Sequence, residues 1–223
     1  MTNKYSRKQF IFNWEKQQIL FLGLVLGVSS ILSIFYIDQP LTKWFHETVD
    51  GRLDFIARIF TALGSGDIYF FISVCGYLLA RLFSQKLTHL NWSQRFSQTR
   101  HRFGFMFLSF FISGIMVLLL KFIFGRARPY HSSGFEPLQF HPFTLDWDFQ
   151  SYPSGHTQVG FTLATFLSLL YPKQAKYFFL FATLVGFSRV ILEKHYLGDV
   201  LAGAYIGISG TYLTWLWKGH QTE

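Results

Sequence analysis

Residues 188–200 read SRVILEKHYLGDV, a block in which Arg189, Glu193, Lys194, His195 and Asp199 stand between two apolar runs. The run before it, Tyr177–Ser188, holds twelve residues without a charge, and the run after it, Val200–Trp217, holds eighteen. Such a block is either a wet turn between two membrane helices or chemistry held at a membrane surface. The choice begins with whether the apolar runs cross a bilayer.

Half of the 223 residues are hydrophobic, 28 are Phe and 14% are charged, against roughly 25% charged in an ordinary soluble domain. About 20 apolar residues cross a hydrocarbon core. Ile19–Ile37 offers nineteen uncharged residues, and Phe103–Leu120 offers eighteen. Ile68–Ala80, Thr157–Tyr171 and Tyr177–Ser188 are shorter and reach that length only across Arg81, His156 and Arg189, set at an interface. This pattern predicts an all-α integral membrane protein of six transmembrane helices; a soluble helical protein is the alternative. Lys4, Arg7, Lys8 and Lys16 precede a first run too long for a signal-peptide core, which reads as a retained anchor. Cys75 is the single cysteine, which leaves no internal disulfide.

Six spans put both termini on one side. The segments on that side carry Lys4, Arg7, Lys8, Lys16, Arg81, Lys86, Arg95, Arg100, Arg102, Lys173, Lys176 and Lys218, twelve of the twenty basic residues, with two acids, Glu15 and Glu223. The positive-inside rule makes that side cytoplasmic. The formal charge of +8 is then mostly topology. Nucleic-acid binding, the rival reading of a high pI, finds no motif in these scattered segments.

Two connections lie on the outer side, 38–66 and 126–154. In the first, Leu53, Phe55, Ile56, Ile59, Phe60 and Leu63 recur at helical spacing around Arg52, Asp54 and Arg58. That pattern fits a helix in the interface plane or a short packed helix. The second is long for a connector, and its Phe135, Phe140, Phe143 and Trp147 suggest a functional wall.

Three polar clusters fall at the outer ends of the spans: KFIFGRARPYH from Lys121, YPSGHTQ from Tyr152, and the block at 188–200. A single Lys or Arg there could simply snorkel to the interface. Lys121, Arg128 and Arg189 together, with two histidines, imply an anion. Pro153-Ser154-Gly155-His156 opens a helix, where free N–H groups and the positive dipole end suit phosphate. Gly155 permits close backbone approach, and the arginine fork matches phosphate oxygens. If helical, His195 and Asp199 at i,i+4 share a face, so the aspartate could fix the tautomer and free the other ring nitrogen. His156 supplies a possible proton donor.

Together these clusters resemble the type 2 phosphatidic acid phosphatase superfamily, whose pattern is K-x6-RP, PSGH, then SR-x5-H-x3-D. Lys121 with Arg128-Pro129, Pro153–His156, and Ser188-Arg189 with His195 and Asp199 fill every position in order. The resemblance implies a single membrane domain over 1–223 with its motif core at 121–199 and an extracytoplasmic active site in a bacterial inner membrane. It implies a phosphatase that cleaves a phosphomonoester or diphosphate of a membrane lipid. His195 would be the nucleophile oriented by Asp199, and His156 the acid and then the base. Lys121, Arg128, Arg189, Ser154 and the Gly155 N–H would hold the phosphoryl oxygens. No metal or other cofactor is expected, since protein cations do that work.

Among substrates, undecaprenyl diphosphate and phosphatidylglycerol phosphate lead, with phosphatidic acid in the same class and lipid A the runner-up. Transfer to another lipid, a phosphate-binding or transport protein, and a vanadium-dependent haloperoxidase are the rivals. Ser188 is as well explained by helix packing as by ligand contact. Arg126 and Lys194 read either as headgroup contacts or as interface cations. His141, Asp146 and Asp148 read as solvent-facing loop residues in preference to a metal site. His46 and His131 have no evident partner, and Glu193 need not approach the site.

Overall fold

The computed structural model describes residues 16–86 and 90–219. Lys4, Arg7, Lys8, Glu15 and Glu223, which enter the charge-bias argument, lie outside the described residues. The chain forms α1 (Lys16–Tyr36), α2 (Asp38–Thr48), α3 (Gly51–Leu63), α4 (Gly66–Lys86), α5 (Leu90–Phe124), α6 (Gly155–Leu170), α7 (Ala175–Ile191) and α8 (Leu197–Gly219). Among the described residues there is no strand, only an isolated bridge between Arg126 and Phe140.

The outer helices are inside-out relative to a water-soluble protein. On α1, Ser30 and Ser33 are buried while Phe21, Leu24 and Phe35 are more than half exposed. Apolar side chains that face outward over whole helices belong against lipid, where small polar residues take the helix contacts. Among the described residues, three stretches are long and apolar enough, by length and composition, to cross a membrane: Lys16–Tyr36, Gly51–Gln85 and Arg95–Phe124. With 16 and 17 residues, α6 and α7 are about 24 and 26 Å long, short of a hydrocarbon core of about 30 Å.

Two expectations change. Most of 81–102, read as a connection, is helix. α5 runs for 35 residues, about 52 Å, so about 20 Å of it extends past the hydrocarbon. That extension is held by rings: Phe83 stacks on Phe96 at 5.4 Å, and Arg95 lies 5.5 Å over Trp92. The outer connection 38–66 holds two helices rather than one. α2 begins at Asp38, and Pro40 in its first turn is compatible with a helix start. α3 is capped by Asp50, whose carboxylate accepts from the Arg52 and Leu53 N–H groups. It packs on α7 while leaving Leu53, Phe55, Ile56, Ile59 and Leu63 exposed.

α8 is the central helix, in contact with α1, α5, α6 and α7. Its glycines permit this. A Cβ on Gly203 would stand 2.4 Å from the Ser154 carbonyl, and one on Gly210 2.7 Å from Ser113 Cβ. The close approach matters because Ser154 opens the site. Gly203→Ala should cost about 1–3 kcal/mol through overpacking, read as a lower Tm in detergent. Gly114→Ala, where nothing lies within 4 Å, should leave Tm unchanged or raise it slightly.

Candidate active site

α5 ends at Gly125, whose φ of +57° no side chain adopts easily, and whose Cβ would collide with the His141 carbonyl. The chain then runs extended between two strips of the outer segment. Ala127 N–H donates to Gln139 O at 2.9 Å, Arg128 N–H to Asp148 O at 2.8 Å, and Ser151 N–H to Arg126 O at 2.9 Å. The outer segment is thus the clamp that fixes Arg126 and Arg128, the structural content of the expected wall.

Lys121, in the last turn of α5, donates to the Gln150 carbonyl. Arg128 donates from Nε to Trp147 O at 3.0 Å, with its guanidinium 4.4 Å over the Trp147 ring. Arg189, in the last turn of α7, donates from Nη1 to Thr61 Oγ1 at 3.2 Å, which ties it to α3. Its Nε is buried without a hydrogen-bond partner. All three side chains are buried, and among the described residues none is paired with a carboxylate. Lys121, Arg128 and Arg189 are near enough to act on one another and on His156, and Lys121 and Arg128 also act on His195. Unpaired buried charge is costly, so this cluster is built for an anion.

The PSGH stretch turns into α6 at Ser154, whose N–H donates to the Asp199 carbonyl at 3.0 Å. The Ser154 hydroxyl accepts from Thr157 Oγ1 at 2.9 Å and makes no capping bond to the helix. The first N–H groups of α6 therefore lack that side-chain cap.

His195 does not lie on a helix with Asp199. It sits in the turn before α8, after Glu193 at φ +52°, and its N–H donates to Arg189 O at 3.2 Å. The turn, not a helical face, aims the ring. Nδ1 stands 3.5 Å from Asp199 Oδ2 and 3.4 Å from Ser151 Oγ. The same Oδ2 accepts from Ser151 Oγ at 2.5 Å and from Tyr196 N–H at 2.9 Å. Burial holds the His195 imidazole well below its ordinary range, with Lys121 and Arg128 adding to that and Asp199 opposing it. A neutral ring with Nδ1 turned to the carboxylate leaves Nε2 free as a nucleophile.

Other residues take roles the sequence did not give them. Arg126 is neither a headgroup contact nor an interface cation. It is fully buried, with Nη1 2.6 Å from Asp199 Oδ1 and Nη2 2.7 Å from Asp38 Oδ2. Lys194 lies 4.3 Å over the Tyr130 ring. Ser188 donates to Val185 O at 2.7 Å and meets Thr61 Oγ1 at 2.8 Å, a packing role. Asp146 caps a short turn at 147–149, Asp148 binds Tyr130 Oη at 2.6 Å, and His141 packs on Phe149. His46 does have a partner, Glu193 Oε1 at 2.9 Å, and His131 lies 3.6 Å from Asp148. Asp38 and Ser151 carried no motif; the only sequence signs were that Asp38 ends the first apolar run and that Ser151 stands two residues before PSGH.

The family model of the PAP2 superfamily matches residues 102–223. The chain is 33% identical over 196 residues to a lipid A 1-phosphatase of Rhizobium johnstonii, covering 82% of this chain and 74% of that protein. The fold resembles a transmembrane PAP2-type phosphatidylglycerolphosphate phosphatase from Bacillus subtilis at TM-score 0.61 and 21% identity, over 92% of this chain and 96% of that one. It also resembles LpxE of Aquifex aeolicus at TM-score 0.56 and 23% identity, over 81% of this chain and 95% of the other. With the three motifs gathered at one end of a lipid-facing helical bundle, the chain belongs to the PAP2 superfamily and is a membrane lipid phosphatase.

Proposed function

We propose that the protein hydrolyses a phosphomonoester of lipid A at the outer face of a bacterial inner membrane, through a phosphohistidine on His195. The observation that carries the reading is the cluster of buried, carboxylate-free cations around a histidine whose Nδ1 faces Asp199. Similarity to a lipid A 1-phosphatase over most of both chains supports lipid A ahead of undecaprenyl diphosphate, phosphatidylglycerol phosphate and phosphatidic acid. The likeness to a phosphatidylglycerolphosphate phosphatase keeps that lipid as the second reading.

His195 Nε2 attacks phosphorus, and the N–P bond forms as the bond to the lipid oxygen breaks. His156 gives that oxygen its proton. Asp199 accepts the Nδ1 proton's hydrogen bond and stabilises the ring as it becomes cationic. Water then attacks phosphorus, His156 takes its proton, and the N–P bond breaks to release phosphate. Lys121, Arg128, Arg189, Ser154 and the Gly155 N–H hold the equatorial oxygens, on which charge is spread in the transition state. The chain forms one domain with six spans, α1 and α4–α8, both termini cytoplasmic and the motif end outward.

Purified protein should release phosphate fastest from lipid A in a panel with the three other lipids, and His195→Ala should release none. Equal release by the variant would remove His195 as nucleophile; faster release from phosphatidylglycerol phosphate would establish the second reading. In the first turnover, before water attacks, His156→Ala should lose about 100- to 10,000-fold on lipid A but far less in the p-nitrophenol burst from p-nitrophenyl phosphate, whose leaving group needs no proton. Equal losses on both would exclude it as the acid. For topology, Leu145→Cys in a Cys75→Ser background should react with a membrane-impermeant maleimide added outside cells. Labelling only after permeabilisation would reverse the orientation.

A further inference from the structure

Beneath His195, Asp199 belongs to a buried charge cluster whose other two members, Arg126 and Asp38, fill no motif position. Arg126 divides its guanidinium between two carboxylates, Asp199 Oδ1 at 2.6 Å and Asp38 Oδ2 at 2.7 Å, and gives its Nε–H to Pro137 O at 2.9 Å. The Tyr196 ring packs 4.3 Å from it. Asp38 and Arg126 have no measurable exposure, and neither does Asp199. Burial raises the Asp38 carboxyl above its ordinary range while Arg126 opposes this. The three hydrogen bonds to its oxygens are all donated to it, from Ser33 Oγ at 2.6 Å, Gly198 N–H at 2.9 Å and Arg126. Asp38 is therefore held as a carboxylate.

A structural clamp between the outer segment and α8 would need only Arg126 and Asp199. That pair alone is neutral, and its carboxylate would offer His195 a weakened charge. A third buried charge is an expense such a clamp has no reason to carry. With Asp38 included, the cluster is net negative, and the charge that Arg126 withdraws from Asp199 is offset from behind. The first step, phosphoryl transfer to the enzyme, makes the His195 ring cationic as Nε2 bonds to phosphorus, so the charge behind Nδ1 acts on the transition state more than on the bound substrate.

We propose that Asp38 and Arg126 are positioning residues of the hydrolytic site: Arg126 fixes the rotamer of Asp199, and Asp38 restores the negative charge that Asp199 presents to His195. The proposal rests on the phosphohistidine reading above. Neither residue touches the substrate. Both act through Asp199, from α2 and from the outer segment.

The test measures phosphate release from lipid A in detergent micelles by wild type, His195→Ala, Asp38→Asn and Arg126→Lys, with the inhibition constant of inorganic phosphate and the pH profile of kcat/KM. In Asp38→Asn, kcat should fall about 10- to 100-fold, as for other residues that orient a reactive group. KM and the inhibition constant should hold, since Lys121, Arg128 and Arg189 are untouched. The groups acting on His195 are Asp199 from α8, Lys121 from α5 and Arg128 from the outer segment. Loss of a negative charge behind Asp199 weakens proton binding by the ring, so the acidic limb should move to lower pH. Arg126→Lys keeps the cluster charge but spans one carboxylate only, so kcat should fall with the limb in place.

A wild-type kcat and limb in folded Asp38→Asn, beside an inactive His195→Ala, would overturn the proposal and leave the phosphohistidine intact. A fall in kcat that only follows the folded fraction, with the limb unmoved, would also overturn it and make the cluster a clamp. Should Asp38→Asn not fold, an unchanged kcat in Arg126→Lys would decide against it. An active His195→Ala would instead remove the reading on which the proposal stands.

Discussion

Asp199 joins the bundle to its reactive end. Its backbone carbonyl accepts from the Ser154 N–H, which fixes the start of α6 against the first turn of α8. Its side chain takes Arg126 on one oxygen and Ser151 and the Tyr196 N–H on the other. One residue thereby sets the register of two helix mouths, the turn that carries His195 and the outer segment that carries Arg128. Moving any of these elements alone breaks a buried hydrogen bond, charge-assisted for all but the α6 mouth, and that costs far more than an exposed one. The glycines of α8 serve the same constraint, because only a bare Cα lets Asp199 come this close to Ser154.

Against this tied framework stand three cations without carboxylate partners. Gathering Lys121, Arg128 and Arg189 in a buried site opposes folding, and the framework is what sustains it. Such local cost is characteristic of reactive sites, where the environment is arranged for charge that develops during reaction. The division of charge is clear. The carboxylates of Asp38 and Asp199 are committed to Arg126, the cation that does not face the site, while the cations around the histidines remain uncommitted.

Much of this was legible in the chain, and the rest was not, for a physical reason. The apolar runs outlined the helices α1 and α4–α8 because continuous hydrophobicity is a local property. The three motifs stood out because each lies within a dozen residues. Asp38, Arg126 and Ser151 did not, since their meeting with Asp199 or with one another spans separations of 88, 73 and 48 residues. Arg126 looked like one more interface arginine; only the fold shows that it has no water. The i,i+4 spacing of His195 and Asp199 suggested a shared helix face, yet a turn with Glu193 at positive φ delivers the same proximity. Helix spacing marks neighbours without saying what curls them together.

The depth of the site follows from the same physics. A soluble phosphate ester would meet the cations with only its own charge. On the proposed reading a lipid phosphate arrives already confined to the membrane boundary, where the motif-bearing ends of α5, α6 and α7 would lie. On one side the exposed face of α3 offers Leu53, Phe55, Ile56 and Ile59, and on the other the outer segment offers Phe143, Leu145 and Trp147. On the proposed reading, apolar contact there would bind substrate and transition state alike, the cations would hold the phosphate in both, and the Asp199-backed histidine would act on the transition state. On that reading the aromatic and aliphatic rims would select the lipid, and the buried charges would perform the chemistry. Because the two sets of residues do not overlap, relatives with one bundle and one set of motifs can serve different lipids.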